Sequence, residues 1–166
     1  MKITTLDRLQ EIVKKHKNDG AKIGLITGCF DIIHIGHIEL FRFAKKHCDI
    51  VIVGLENDET IKLSKGKNRP IHNLKQRAEA LSELRSINYI FNIDDVIDFS
   101  SRGANKYYIA MYKKLKPDYL ITNSDADSFW EEKKKDAESI GVKLLRDKRQ
   151  RVSASTKIIE QLSKEL

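Results

Sequence analysis

Two histidines stand three residues apart in the stretch GCFDIIHIGH, residues 28–37. The chain has only five histidines, so His34 and His37, on either side of Gly36, concentrate imidazole in one short segment. Imidazole N–H groups donate to phosphate oxygens, and glycine lets backbone approach a bound group closely. The apolar run KIGLITG (22–28) leads into the stretch, and HIELFRFAKKH (37–47), with apolar residues at helical spacing, leads out of it. A junction of strand and helix offers a phosphate free backbone N–H groups and the positive end of the helix dipole. Phosphate binding is the chemistry these residues point to. A metal site fits less well, because His34, His37 and His47 come without carboxylates and thiols at ligand spacing. Neither a P-loop lysine pattern nor G-x-G-x-x-G occurs.

The elements that must position this stretch alternate along the chain. An amphipathic helix is predicted over 4–18, with Thr5 placed to cap it ahead of Leu6, Leu9, Ile12 and Val13. Strands are predicted at 22–28, 49–55, 87–93, 118–122 and 142–146. DIVIVGL (49–55) is a continuous β-branched run, the mark of a central parallel strand. Helices are expected over 37–47, 73–84, 102–116, 127–140 and roughly 154–164, with 56–70 as a polar loop ending in NRP. Five strands alternating with helices imply an α/β architecture, a parallel sheet covered on both faces. Ligands on such sheets bind at the carboxyl ends of the strands, where the strand order reverses.

Length and composition bound the rest. At 166 residues, with 40% hydrophobic and 33% charged residues, the chain suits one ordinary globular domain: a helix over 1–20, a core over 22–150 and a closing helix over 153–166. No apolar run would span a bilayer, and the N-terminus lacks the apolar stretch of a secretory signal, so a cytoplasmic location is the expectation. Cys29 and Cys48 are expected to be reduced, buried thiols. The charge of +7 invites phosphate-bearing partners. The clusters at 14–17, 113–116 and 133–135 read as solvated helix faces, and RDKRQR (146–151) as part of a loop.

GCFDIIHIGH resembles the GxFDxxHxGH signature of the cytidylyltransferase-like nucleotidyltransferases. Within that family the chain looks most like the adenylyltransferase domain of ADP-heptose synthases, and next like glycerol-3-phosphate cytidylyltransferases. The likeness extends through LQEIVKKHKNDGAKIGLITGCFD, through residues 53–81, through KLKPDYLITNSD (114–125) and through VSASTKIIEQL (152–162). The resemblance implies the three-layer, Rossmann-like, five-stranded parallel fold of the HIGH-type nucleotidyltransferases. It also implies a reaction: a phosphate monoester attacks the α-phosphate of a nucleoside triphosphate, ATP favoured over CTP, and pyrophosphate leaves. His34, His37 and Lys45 would contact the phosphates during transfer. Gly28, Cys29, Phe30, Asp31 and Gly36 would border the nucleotide, with Asp31 orienting the loop. Arg77, Asp125, Arg149, Ser155 and Thr156 complete the implied nucleotide set, and no residue is implied as a metal ligand. Mg²⁺ is the implied cofactor, held mostly by nucleotide and water. The implied partners are the triphosphate and a small phosphorylated acceptor such as a sugar 1-phosphate. A homodimer is implied; nucleic acid and membrane are not.

The departures surround the substrates. Glu39 stands where relatives often carry a basic residue, the strand-end Lys-Gly-Gly-Asp reads TNSD (122–125), and Ala154 replaces the first residue of Ser-Thr-Thr. Residues 98–112 form a longer segment than either group has. Phe129 and Trp130 are placed to line the acceptor side or to pack in the core, and the tyrosines of KYYIAMYKK (106–114) suit a dimer contact or an acceptor pocket. HIGH at 34–37 and KLSKG at 62–66 also echo class I aminoacyl-tRNA synthetases, but their spacing is too short and the chain has no room for an anticodon module. A nucleic-acid module would need aromatics interleaved with its basic residues, and aromatics total only 7%. A nucleotide sensor that binds without turnover is the remaining non-enzyme reading.

Overall fold

A computed structural model describes residues 2–101, 103–150, 154–162 and 164. Arg102, Arg151, Val152, Ser153 and Ser163, which fall inside expected elements or motifs, lie outside the described residues. The elements are α1 (Leu6–Asn18), β1 (Ile23–Gly28), α2 (Ile35–His47), β2 (Ile50–Glu56), α3 (Asp58–Lys65) and α4 (Leu74–Ser82). They continue with β3 (Tyr89–Ile93), α5 (Asn105–Leu115), β4 (Tyr119–Asn123), α6 (Trp130–Ser139), β5 (Lys143–Asp147) and α7 (Ser155–Leu162). The five strands pair in parallel in the order β3-β2-β1-β4-β5. The chain winds one way from β1 to β3 and returns to the other side with β4, so the switch in order falls between β1 and β4.

The strands' period of two sorts their side chains into two cores. Ile23 and Leu25 of β1, Ile52 of β2, Phe91 and Ile93 of β3 and Leu120 of β4 pack against Leu9 and Val13 of α1, Met111 and Tyr112 of α5 and Ala137 of α6. Ile26, Val51, Val53, Leu55, Ile90 and Ile121 face the other way, against Leu40, Phe41 and Ala44 of α2 and Ala78 and Leu81 of α4. The result is the expected three-layer α/β sheet.

Local chemistry sets the helix boundaries. Thr5 caps α1 by accepting from the Arg8 N–H at 3.3 Å, as the sequence predicts. Asn73 and Gln76 form a capping box at the start of α4. The segment 56–70, expected as loop, contains α3. Asn57 caps it by accepting from the Thr60 N–H at 2.8 Å, Asp58 and Glu59 suit its positive end, and Gly66 at φ 94° ends it. Its apolar pattern is thin because it buries only one turn, Thr60 and Ile61. Cys48 is a buried free thiol as expected, whereas Cys29, also free, is half-exposed. No helix among the described residues is long and apolar enough to cross a membrane.

Candidate active site

β1 ends at Gly28, and the chain reverses at Phe30, which takes a left-handed φ of 44°. The Phe30 ring folds back to lie 5.1 Å from the His37 ring and 5.2 Å from Phe41. A Cβ at Gly28 would sit 3.2 Å from that ring, so glycine makes room for Phe30 as well as for a ligand. α2 then begins two residues earlier than the spacing suggests. His34 is its N-cap, in extended conformation, and its carbonyl accepts from the N–H groups of His37 at 2.9 Å and Ile38 at 3.2 Å. One helical turn brings the two imidazoles together: their rings stack with centroids 3.8 Å apart and planes 23° apart. The pair therefore stands at the positive end of a 13-residue helix.

Two buried charges hold the loop that carries the pair. Asp31, 2% exposed, accepts from the Arg69 Nε at 2.9 Å and from the backbone N–H groups of Ile71 at 2.9 Å and His72 at 2.8 Å. Burial raises its pKa, but the two amides and the Arg69 guanidinium outweigh it and hold the carboxyl below its ordinary value. Arg77, 1% exposed, donates to the carbonyls of Cys29 at 2.5 Å, Glu56 at 2.7 Å and His72 at 3.1 Å, and to the Asp58 carboxylate at 2.9 Å. The guanidinium thus ties the signature loop to the end of β2 and the start of α3.

A cavity of about 690 Å³ lies over the carboxyl ends of β1 and β4, at the switch in strand order. Gly28, Cys29, Phe30, His34, Gly36, His37, Ser155 and Thr156 border it, so most of the expected nucleotide set meets there. The Ser155 hydroxyl, however, donates to the Ile32 carbonyl at 3.2 Å. Its one proton is committed to the loop, which leaves the Thr156 hydroxyl and the N-terminal amides of α7 as donors toward the cavity.

Five expected residues stand elsewhere. Lys45 is eight residues past His37, roughly 12 Å down the helix at about 1.5 Å per residue, and its ammonium donates to the Asp49 carbonyl. Arg77 has all of its reach taken by the carbonyls and Asp58, and Asp31 is turned into the protein. Asp125 is exposed on the turn after β4, where its N–H donates to the Asn123 side chain at 3.0 Å. Arg149 grips Asp147 with Nε at 2.9 Å and Nη2 at 2.7 Å, and Nη2 also reaches the Glu39 carbonyl at 2.9 Å; it clamps β5 to α2 beside the cavity.

Other side chains take the places these leave. Lys65, the last residue of α3, borders the cavity and its ammonium lies 2.9 Å from the Cys29 sulfur. Asp127, two residues after Asp125, is the inward carboxylate: Thr122 donates to it at 2.6 Å and Lys133 at 2.7 Å. Burial raises the Asp127 pKa, but Lys133 first and these hydrogen bonds after it hold it below the ordinary value. Lys133 is thus turned inward, not part of a solvated face. Tyr108 and Tyr112 of α5, with Phe129, border the cavity, whereas Trp130 does not: the Arg146 guanidinium lies 4.1 Å over its ring. The KLSKG segment carried the signal for Lys65. Nothing in TNSDADSF distinguishes Asp127 from Asp125 before the turn after β4 is formed.

Residues 25–163 match the family described as cytidylyltransferase-like. The bifunctional protein HldE of Hyphomonas neptunium is 36% identical over 122 residues, and that of Sulfurimonas denitrificans 31% over 123. These stretches cover 72% and 74% of this chain but 23% and 24% of the relatives, so the chain spans about a quarter of the length of the curated relatives it matches. The lipopolysaccharide core biosynthesis protein of Thermoplasma volcanium GSS1 superposes with a TM-score of 0.62 at 25% identity, over 80% of this chain and 100% of that one. A pantoate-beta-alanine ligase from Francisella tularensis superposes with a TM-score of 0.66 at 20% identity, over 100% of this chain and 78% of that one, a likeness of fold. The family match begins inside β1, takes in the histidine pair and runs through α7, so it spans every element that borders the cavity: the chain belongs to the cytidylyltransferase-like family.

Proposed function

We propose that this chain transfers a nucleoside monophosphate, from ATP in preference to CTP, to a small phosphorylated acceptor of the sugar 1-phosphate class. The observation that carries the reading is the stacked His34–His37 pair at the amino end of α2, opening on the cavity. An oxygen of the acceptor phosphate forms a bond to the α-phosphorus. The bond from that phosphorus to the bridging oxygen breaks, and pyrophosphate leaves with the electron pair. The nucleophile is already an anion, so no general base is required. What remains for the protein is alignment and stabilisation of charge. The imidazoles and the first amides of α2 would bind the α-phosphate, where charge builds. Thr156 and the amides of α7 would meet the outer phosphates, and Lys65 would add a positive charge on the facing side. The likeness of the Cys29-bearing signature to the ADP-heptose synthase domain supports ATP.

Mg²⁺ supplies charge neutralisation to a bound triphosphate. No three His, Cys, Asp or Glu residues among the described residues are grouped to hold a metal ion. An ion of this kind would be carried in on phosphate oxygens and water.

Pyrophosphate release, with ATP and CTP crossed against sugar 1-phosphates and glycerol 3-phosphate, tests the proposal. His34→Ala and His37→Ala are each expected to lower turnover on the order of 10²–10³-fold, as loss of a charge-stabilising donor does. Near-normal turnover in both variants, or nucleotide binding without pyrophosphate release from any acceptor, would refute it.

A further inference from the structure

A second cavity lies at the opposite end of the sheet from the histidine pair, where β1, β4 and β5 begin. It holds about 650 Å³, and Lys17, Lys22, Lys113, Lys116 and Lys143 border it with a single carboxylate, Asp118. Lys113 and Lys116 belong to a cluster whose spacing reads as a solvated helix face. The sheet order instead gathers them with lysines from the end of α1, the entry to β1 and the start of β5. Asp118 is occupied: Oδ2 accepts from the Ile23 N–H at 2.9 Å, and Oδ1 lies 3.5 Å from the Lys17 ammonium. Lys17 also donates to the Lys116 carbonyl at 2.6 Å, so it ties α1 to the link before β4. Lys22, Lys113, Lys116 and Lys143 have no ion-pair partner among the described residues.

Basic residues near helix carboxyl ends are ordinary, because they offset the negative end of the dipole. α1 and α5 end at this cavity, and α6 ends beside it at Ile140 and Gly141. Three such ends amount to roughly one and a half negative charges. That is fewer than the four ammonium groups left once Asp118 has taken Lys17. Lys22 and Lys143 stand at strand starts, where no dipole calls for a cation. Lys116 takes a left-handed φ of 48°, a cap position that glycine fills with least strain, yet it carries an ammonium. Like charges around one concave space repel, and an anion in that space relieves them. Lysine ammonium groups are compact point charges without a fixed fork, and no arginine borders the cavity among the described residues. Such a set suits tetrahedral phosphate groups better than a planar carboxylate. A single phosphate would leave most of the space and of the charge unmet. Tyr112, 1% exposed, borders both this cavity and the one at the histidine pair, so its ring stands between the two.

We infer that this basic cavity binds a small anion bearing two or three linked phosphates, held by Lys22, Lys113, Lys116 and Lys143, at a site separate from the one beside the histidine pair. The inference goes beyond nucleotidyl transfer and does not depend on it. A free polyphosphate and a nucleoside polyphosphate share the required chemistry. Nucleic acid fits less well: Tyr112 is buried and Tyr119 half-buried, which leaves no exposed ring on this wall for bases to stack on.

Amide proton–nitrogen NMR spectra of the full chain, titrated with inorganic tripolyphosphate at about 0.1 M salt, read both sites at once. The expected result is a saturable shift of the amides of Lys22, Lys113, Lys116 and Lys143 that persists when His34→Ala and His37→Ala are combined. Lys113→Gln with Lys143→Gln is expected to weaken this binding about fivefold or more, at about two- to fivefold per lysine. Lys116→Asn should weaken it about two- to fivefold, and asparagine tolerates the left-handed backbone, so the fold is kept. Lys46→Gln with Lys75→Gln, on exposed positions of α2 and α4, removes as much charge elsewhere and is expected to leave the binding unchanged. Pyrophosphate and ADP as separate titrants distinguish the sources. Equal or weaker binding of ADP identifies the phosphate chain alone, and tighter binding identifies a nucleotide. Shifts that grow without saturation and scatter over the surface lysines would overturn the inference. So would shifts confined to the amino ends of α2 and α7, or equal weakening by the cavity variants and the control.

Discussion

Replacing Arg77 by methionine should unfold the signature loop's support before it touches the chemistry. The guanidinium is 1% exposed and donates to three carbonyls and one carboxylate, at 2.5–3.1 Å. Methionine fills similar space and donates nothing. The carbonyls of Cys29, Glu56 and His72 would lose their charged donor, each at about 1–3 kcal/mol if no water replaces it. Asp58, with a side chain 32% exposed, would keep access to solvent, so its loss is the smaller part. Water and relaxation recover some of the sum, and removing one partner from a buried pair typically costs about 3–5 kcal/mol. Against a total stability of roughly 5–15 kcal/mol this is a large share. In a chain of this size the same loss lowers Tm by roughly 6–20 °C. Urea titration and a thermal melt of Arg77→Met and Arg77→Lys would measure it, with lysine intermediate because one ammonium cannot span all four acceptors. A loss under about 1 kcal/mol in both, with pyrophosphate release abolished, would show that Arg77 binds phosphate and that its role as a buried tie is mistaken.

Two further outcomes follow from the same contacts. Asp31 has a folded pKa below its unfolded value near 4, so the stability it contributes is fully present above about pH 4 and lost as pH falls through the folded value. Asp31→Asn should therefore be less stable at pH 7 and show a flatter acid limb in urea titrations across pH, and an unchanged limb would contradict the assignment. Iodoacetamide should label half-exposed Cys29 and spare Cys48, whose thiol burial pushes up to about 11. Bound ATP should slow the labelling of Cys29, which mass spectrometry would report, and labelling of Cys48 at a similar rate would contradict its burial.

Much of this architecture can be read from residue order. The β-branched run at 49–55, the cap at Thr5 and the alternation of apolar runs suffice for the layers, because each reports a local or period-two preference. α3 escapes such reading because a two-turn helix that buries one turn leaves almost no apolar period. The histidine pair is legible because its members lie within one helical turn. The opposite wall is not: Lys65, Asp127 and Asp136 come from three elements, and only the sheet order brings them to one cavity. Arg77 and Lys45 show the limit of carrying a role by position. Both fall at matching places in the chain, yet side-chain direction sends one into buried carbonyls and the other to the far end of α2.

The most direct measurement is a crystal structure of the protein with a non-hydrolysable ATP analogue. The expected result places α-phosphate oxygens within about 3 Å of ring nitrogens of His34 and His37, with the outer phosphates at the amino end of α7. A triphosphate bound away from both rings would contradict the histidine pair's assigned part in transfer.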